Sequence, residues 1–159
     1  IIYSQRPDVT FGFNNTFNYK GFDLSVFLYA RLGQWIAYDY NTTYRINALE
    51  NGGNVDYWTP ENPTNAFPCP NKSKSYTQVT YYSTLKYEDG SFFKIRDITL
   101  GYTFKPELLK HLNLSKLRVY ATAKNFFTFS KIDNYDPEQG GSISFPMTKQ
   151  LVFGLNVEF

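Results

Sequence analysis

Five stretches of this chain alternate apolar and polar residues with a period of two, and each runs longer than an ordinary globular strand. In the first, 9–19, Val9, Phe11, Phe13, Asn15, Phe17 and Tyr19 share one parity, and Thr10, Gly12, Asn14, Thr16 and Asn18 the other. Lys20-Gly21 then offers a tight hairpin connection. The second stretch, 22–35, sets Phe22, Leu24, Val26, Leu28, Ala30 and Leu32 against Asp23, Ser25, Tyr29 and Arg31, with Phe27 out of phase. The third, 91–104, places Ile98, Leu100, Tyr102 and Phe104 opposite Asp97, Thr99, Gly101 and Thr103, and Lys94 and Arg96 take the apolar parity at its first end. The fourth, 117–129, separates Leu117, Val119, Ala121, Ala123, Phe127 and Phe129 from Arg118, Tyr120, Thr122 and Lys124. The fifth, 149–159, alternates Leu151, Phe153, Leu155, Val157 and Phe159 with Gln150, Val152, Gly154, Asn156 and Glu158.

The connections differ in kind. Residues 37–88 lose the alternation to Asn, Gly, Pro, Thr and Tyr, including Asn51-Gly52-Gly53-Asn54, and read as one long loop with room for short strands near Thr77–Leu85. Pro106–Leu112 suits one helical turn with Leu108, Leu109 and Leu112 packed on the strand ends. Residues 130–148 form a second loop, carrying Asp136-Pro137-Glu138 and Gly140-Gly141.

Composition excludes several classes of function. With 16 Lys+Arg against 14 Asp+Glu the net charge is +2, which leaves no electrostatic footprint for nucleic acid. The single Cys69 closes no internal disulfide, and with His111 alone beside it there is no metal pattern and no Ser-His-Asp or Cys-His set. The reading is therefore no enzyme, no cofactor and no metal. No run approaches the ~18 apolar residues of a membrane helix. The first residues, Ile1–Pro7, lack the basic and apolar regions of a signal peptide.

Alternation alone suits a soluble sandwich or a membrane barrel. Four features separate them. Globular strands average about 5–6 residues and tilted membrane strands about 9–11, and these stretches are long. Short and long connections alternate, as in barrels with tight periplasmic turns and long external loops. Rings gather at the strand ends: Phe17, Tyr19, Phe22, Tyr102, Phe104 and Phe159 at one, Phe11, Trp35, Phe127 and Phe129 at the other. Charges keep to the polar phase, except Lys94, Arg96 and Lys149 at the external ends. The expectation is all-β: antiparallel strands of a transmembrane β-barrel. About five strands do not close a barrel whose smallest members have about eight, so residues 1–159 read as its C-terminal segment.

The runs YKGFDLS (Tyr19–Ser25), WTPENPTN (Trp58–Asn65), DGSFFKIRDITLGYTF (Asp89–Phe104), LRVYATAKNFFTF (Leu117–Phe129), NYDPE (Asn134–Glu138) and LVFGLNVEF (Leu151–Phe159), in this order, resemble the C-terminal end of SusC/RagA-type TonB-linked outer-membrane proteins. The resemblance implies a barrel of about 22 strands with a plug, set in the outer membrane of a Gram-negative cell. It also implies coupling to the TonB complex through an N-terminal part, a SusD-like surface lipoprotein as partner, and import of oligosaccharides or oligopeptides. Phe153, Leu155, Val157 and Phe159 resemble the signal read by the barrel-assembly machinery.

On that reading, ligand contact comes from the external loops and the lumen-facing parity. Tyr57 and Trp58 offer ring faces, with Asn62 and Asn65 as hydrogen-bonding neighbours; the blander role for Trp58, Pro60, Pro63 and Pro68 is to stiffen the loop. Asp136 and Glu138 offer a hard-cation site or, formally, a carboxylate pair for glycoside hydrolysis, although Asp-Pro-Glu is first a turn in which Asp caps and Pro sets φ. The competing class is a secreted β-sandwich that binds carbohydrate through surface Trp and Tyr.

Overall fold

The computed structural model describes residues 3–44, 54–73, 82–145 and 147–159, the side chains of 42, 43, 82 and 83 excepted. The chain divides into two compact units, Asp8–Leu32 with Phe92–Ser130 and Met147–Phe159, and Ile1–Pro7 with Gly33–Ser91 and Lys131–Pro146.

The first unit is one antiparallel sheet of five strands: β1 (Val9–Tyr19), β2 (Phe22–Leu32), β5 (Phe92–Thr103), β6 (Lys116–Ser130) and β7 (Gln150–Glu158), in that order. An 11-residue strand such as β1 covers about 36 Å, and tilted about 45° it rises about 25 Å, the height of a barrel's lipid-facing band. Lys20 and Gly21 turn the β1–β2 hairpin with positive φ of 48° and 90°, the mirror-image turn that matches strand twist.

Pairing puts the apolar parities of all five strands on one face. Phe17 lies opposite Leu24, Leu24 opposite Leu100, Leu100 opposite Ala121, and Ala121 opposite Phe153. A second row joins Phe22, Tyr102, Val119 and Leu155. This face is not sealed by protein: Phe11, Leu100 and Leu155 are 46%, 52% and 67% exposed, and Leu24 and Val119 are partly exposed. A sandwich would bury it against a second sheet.

Two departures from plain alternation correct the sequence reading. Across β2, the single step from Phe27 to Leu28 matches two steps on β5, from Asp97 to Ile95, so Arg96 is the extra residue of a β-bulge. On β6 the same interval takes three steps, from Lys124 to Phe127, and passes through Asn125 with φ 59°. The bulge reverses the parity of the first end of β5. Phe93 and Ile95 join the apolar face, opposite Ala30 and Leu28 on one side and Phe129 and Phe127 on the other. Lys94 falls on the polar face, opposite Tyr29, and is fully buried with Nζ 5.7 Å from the Phe92 ring centre. Lys94 therefore does not share the apolar phase.

Trp35 also departs from the sequence expectation, which carries the second strand to residue 35. The second strand ends at Leu32, because Gly33 takes φ 77°, a left-handed conformation that leaves the ladder. Trp35 begins β3 (Trp35–Ala37), which pairs with β4 (Tyr87–Asp89) in a sheet of the second unit. There its ring sits 4.4 Å from that of Tyr3, and its strand is not one of the five of the large sheet.

The helical turn after β5 comprises α1 (Pro106–Leu109) and a 3-10 turn, Lys110–Leu112. Leu109 is 2% exposed, but Leu108 and Leu112 are 61% and 63% exposed rather than packed. One helical turn directs neighbouring side chains to different sides, so burying Leu109 leaves the other two outward.

The second unit is held by rings. Ile36, Tyr38 and Ile132 form one small core, with Tyr40 and Tyr135 against it, and Tyr44 with Phe67 forms another, flanked by Val55 and Leu85. Residues 74–81, most of the segment with room for short strands, and 51–53 of the Asn-Gly-Gly-Asn run lie outside the described residues, and Tyr82–Lys86 is a 3-10 helix.

Candidate functional site

Two surfaces hold polar groups in fixed geometry. The first is the polar face of the large sheet. Arg118 on β6 reaches across β5 to Asp23 on β2, with its Nε 2.8 Å from the carboxylate. The pair lies over Gly101: a Cβ there would sit 2.5 Å from both the guanidinium and the carboxylate. Tyr120 lies over Gly154 in the same way, where a Cβ would meet the ring at 2.4 Å, and the Arg118 guanidinium stands 5.0 Å from the Tyr120 ring centre. Thr99 and Thr122 share a hydrogen bond of 2.9 Å, Ser25 donates to Asn14 at 3.2 Å, and Lys124 approaches Asp97 at 3.7 Å. Phe27, out of phase in sequence, lies opposite Asn14 and Asp97 on this polar face, its ring 3.7 Å from where a Gly12 Cβ would stand. Glycines here are the floor on which long side chains lie flat.

The second surface is in the loop unit. Tyr57 and Phe67 bridge in parallel, and the Trp58 amide donates to the Phe67 carbonyl at 2.9 Å, so the Trp58–Asn65 run doubles back. Thr59 and Asn62 exchange backbone hydrogen bonds at 3.1 Å, closing the turn over Pro60 and Glu61. Asn62 Nδ2 donates to Asp56 Oδ1 at 2.8 Å and to the Tyr57 carbonyl at 3.2 Å, and Thr64 donates to Asp56 Oδ2 at 2.7 Å. These donors hold the Asp56 carboxyl below the usual carboxylate range, the Thr64 hydroxyl most, then the Asn62 amide. The Tyr44 hydroxyl donates to the Pro68 carbonyl, and burial pushes its phenol up to about 12.

The result is an open cleft of about 530 Å³ bordered by Asn54, Asp56, Tyr57, Thr59 and Asn62. Of the residues named from sequence, Tyr57 and Asn62 border it. Trp58 (42% exposed) and Asn65 are exposed close by but are not among its lining residues. Asp56 is the residue that sequence reasoning missed. Its partners stand six and eight positions away, a spacing no helix or strand rule marks, and the one available cue was its place directly before two rings.

Asp136 and Glu138 belong to a turn. Asp136 Oδ1 accepts from the Glu138 amide at 2.9 Å and caps the short 3-10 turn Pro137–Gln139. Among the described residues no three His, Cys, Asp or Glu side chains gather as a metal-holding group. Phe153, Leu155 and Val157 stand on the apolar face of β7, and Phe159, beyond the strand, is almost fully exposed.

No family model matches the chain. It is 28% identical along its whole length to "TonB-dependent receptor P3" of Formosa agariphila, of which it spans 17%. Over 96% of its length it is 30% identical to "TonB-dependent receptor SusC" of Bacteroides thetaiotaomicron, spanning 15% of that protein. Among solved structures, all of it superposes on a chain of the RagAB peptide importer in its "closed-closed" state, with a TM-score of 0.78 and 27% identity, and covers 18% of that chain. The RagAB peptide transporter gives a TM-score of 0.79 at the same identity. The chain thus spans less than a fifth of the length of the relatives it matches.

Proposed function

Because this chain is a segment of a SusC/RagA-like TonB-dependent receptor, we propose that it forms the C-terminal part of the wall of a plugged barrel of about 22 strands. That barrel imports oligosaccharides or oligopeptides across the outer membrane of a Gram-negative cell. A SusD-like lipoprotein covers its external mouth, and the TonB complex energises it through other parts of the receptor. Its apolar face meets lipid, its polar face meets the lumen, and its long connections are the external loops.

The observation that carries this reading is the difference between the faces of one sheet. One face leaves Phe11, Leu100, Phe153 and Leu155 open, and the other pairs Asp23 with Arg118 over Gly101 and Asp97 with Lys124. A chain in water would not leave so continuous an apolar surface uncovered. In the loop unit, the ring of Tyr57 and the amide of Asn62 beside Asp56 suit a polar ligand with apolar faces, such as a sugar or a peptide, with Trp58 and Asn65 at the rim.

The test is uptake by the full receptor together with its lipoprotein, in cells with and without TonB, using labelled oligosaccharide and labelled oligopeptide. Uptake that requires receptor, lipoprotein and TonB supports the reading. A full-length protein that is monodisperse without detergent and transports neither ligand overturns it.

A further inference from the structure

We propose that the short-connection end of the sheet binds an anionic glycerophospholipid, with one acyl chain in a groove of the apolar face and the phosphate among lysines of the turns. The proposal rests on the barrel reading, since it needs that face to meet a bilayer.

The groove follows from the pairing register. In the row Leu24, Leu100, Ala121, Phe153, the small Ala121 stands between two large exposed side chains, and in the next row Val119 stands between Tyr102 and Leu155. The result is an apolar notch of about 270 Å³ walled by Phe22, Tyr102 and Phe153. The Phe22 and Tyr102 rings stand 4.6 Å apart, and Phe104 meets Tyr102 edge-on at 5.0 Å, so the wall at the turn end is aromatic. Rings of this kind seat at the boundary between acyl chains and headgroups.

Charge at that boundary is basic. Thr103 donates its amide to the Gly21 carbonyl at 2.7 Å, which brings the Lys20 hairpin beside the chain leaving β5 at Lys105. Lys20, Lys105 and Lys110 of these turns are exposed, Lys20 with its Nζ 5.1 Å from the Tyr19 ring centre; of the nearby acids, Asp23 is paired with Arg118, Glu158 holds Lys116 at 2.9 Å, and Glu107 lies between Lys105 and Lys110 in sequence. Leu108 and Leu112, four residues apart and both exposed, add an apolar contact on the turn itself. An apolar notch, aromatic wall and lysine rim together match a lipid with an acyl chain and an anionic headgroup, and a zwitterionic lipid satisfies the rim less well.

The full receptor, purified in detergent, is titrated with phosphatidylglycerol and with phosphatidylcholine of the same acyl chains, and retained lipid is read by native mass spectrometry. The receptor is expected to prefer phosphatidylglycerol. The triple variant Lys20→Gln, Lys105→Gln, Lys110→Gln is expected to lose up to about fivefold of that preference per lysine, the equivalent of ~1 kcal/mol for each basic group at an anionic surface. Filling the notch with Ala121→Trp is expected to lower retention of both lipids; if that variant does not fold, the exposed lysines carry the test alone. Equal retention of the two lipids, or an unchanged preference in the triple variant, overturns the site while leaving the barrel intact. A receptor that needs no detergent and shows no heat-modifiable barrel migration overturns the barrel reading, and the lipid site with it.

Discussion

Arg118 and Asp23, 95 residues apart in sequence, meet across a strand that belongs to neither, their ion pair resting on the bare Cα of Gly101. Both side chains are about one-fifth exposed, and the contact ties β2, β5 and β6 together near the turn end of the sheet. Gly101→Ala inserts a methyl group at 2.5 Å from both partners and should part them. The expected loss is about 1 kcal/mol, since a screened pair is worth little more. Gly154→Ala should cost more, about 1–3 kcal/mol, because the Cβ meets the rigid Tyr120 ring rather than a flexible tip. Unfolding of the full receptor in denaturant, followed by loss of heat-modifiable gel migration, ranks the two.

Leu100 and Thr99 are neighbours with opposite surroundings. Leu100→Arg places a cation on the open apolar face, between Leu24 and Ala121, and should destabilise the folded receptor in bilayers by about 2 kcal/mol, less than a midplane charge would because Leu100 stands two residues from the Tyr102 ring at the turn end. Thr99→Arg puts the same charge on the polar face and gives up one hydrogen bond to Thr122, a loss of about 1 kcal/mol. Equal cost at both positions would contradict lipid contact at Leu100.

Trp58→Ala and Tyr57→Ala separate the two roles open to the loop rings. If both touch ligand, each should weaken its binding to the full receptor by roughly tenfold, ~1.4 kcal/mol. Unchanged affinity for Trp58→Ala, measured by titration calorimetry, removes it from the site and leaves it as a stiffener. Asn62→Ala should weaken binding as well, because it takes two donated side-chain hydrogen bonds from the turn that positions Asp56.

Acid should loosen the attachment of Lys131 to β4. The Ser91 hydroxyl first and the Lys131 ammonium next hold the Asp89 carboxyl below its usual range, and Lys131 lies 2.9 Å away. A depressed folded value means the contribution is complete above the unfolded carboxylate pKa of about 3.9 and is lost as pH falls through the lower folded value. Asp89 also raises Lys131, so on the alkaline side the pair persists until pH climbs past the ordinary lysine value of about 10.4. Protease cleavage after Lys131 in the full receptor should therefore be slow from mildly acid to mildly alkaline pH. Asp89→Asn should cleave fast throughout that window; equal rates for the two would refute the tether.

The alternation at 9–19 and 117–129 was legible because side chains on an extended chain point alternately to two sides whatever they pair with. The same rule misplaced Lys94, and the reason is physical. Arg96 is extra only by comparison with Phe27–Leu28 on the neighbouring strand, and a bulge exists in the register of two strands rather than in either sequence. Trp35 was misplaced for a related reason: it sits two residues beyond a glycine whose positive φ ends the strand, and glycine accepts both signs of φ. Residue type marks Tyr57 and Asn62, which border the cleft, but not Asp56, because its cage closes through loop hydrogen bonds.

Composition and periodicity by themselves determined that this chain builds long antiparallel strands with one apolar and one polar side, joined by short turns at one end and long loops at the other. Both properties are local, set by residue parity and by where glycine and asparagine cluster. Tertiary structure decided which basic residues leave the apolar face, which glycines carry an ion pair or a ring, and which loop side chains enclose a cleft. Those outcomes depend on what a neighbouring strand or distant loop brings within a few ångströms, and no window along a single strand contains that information.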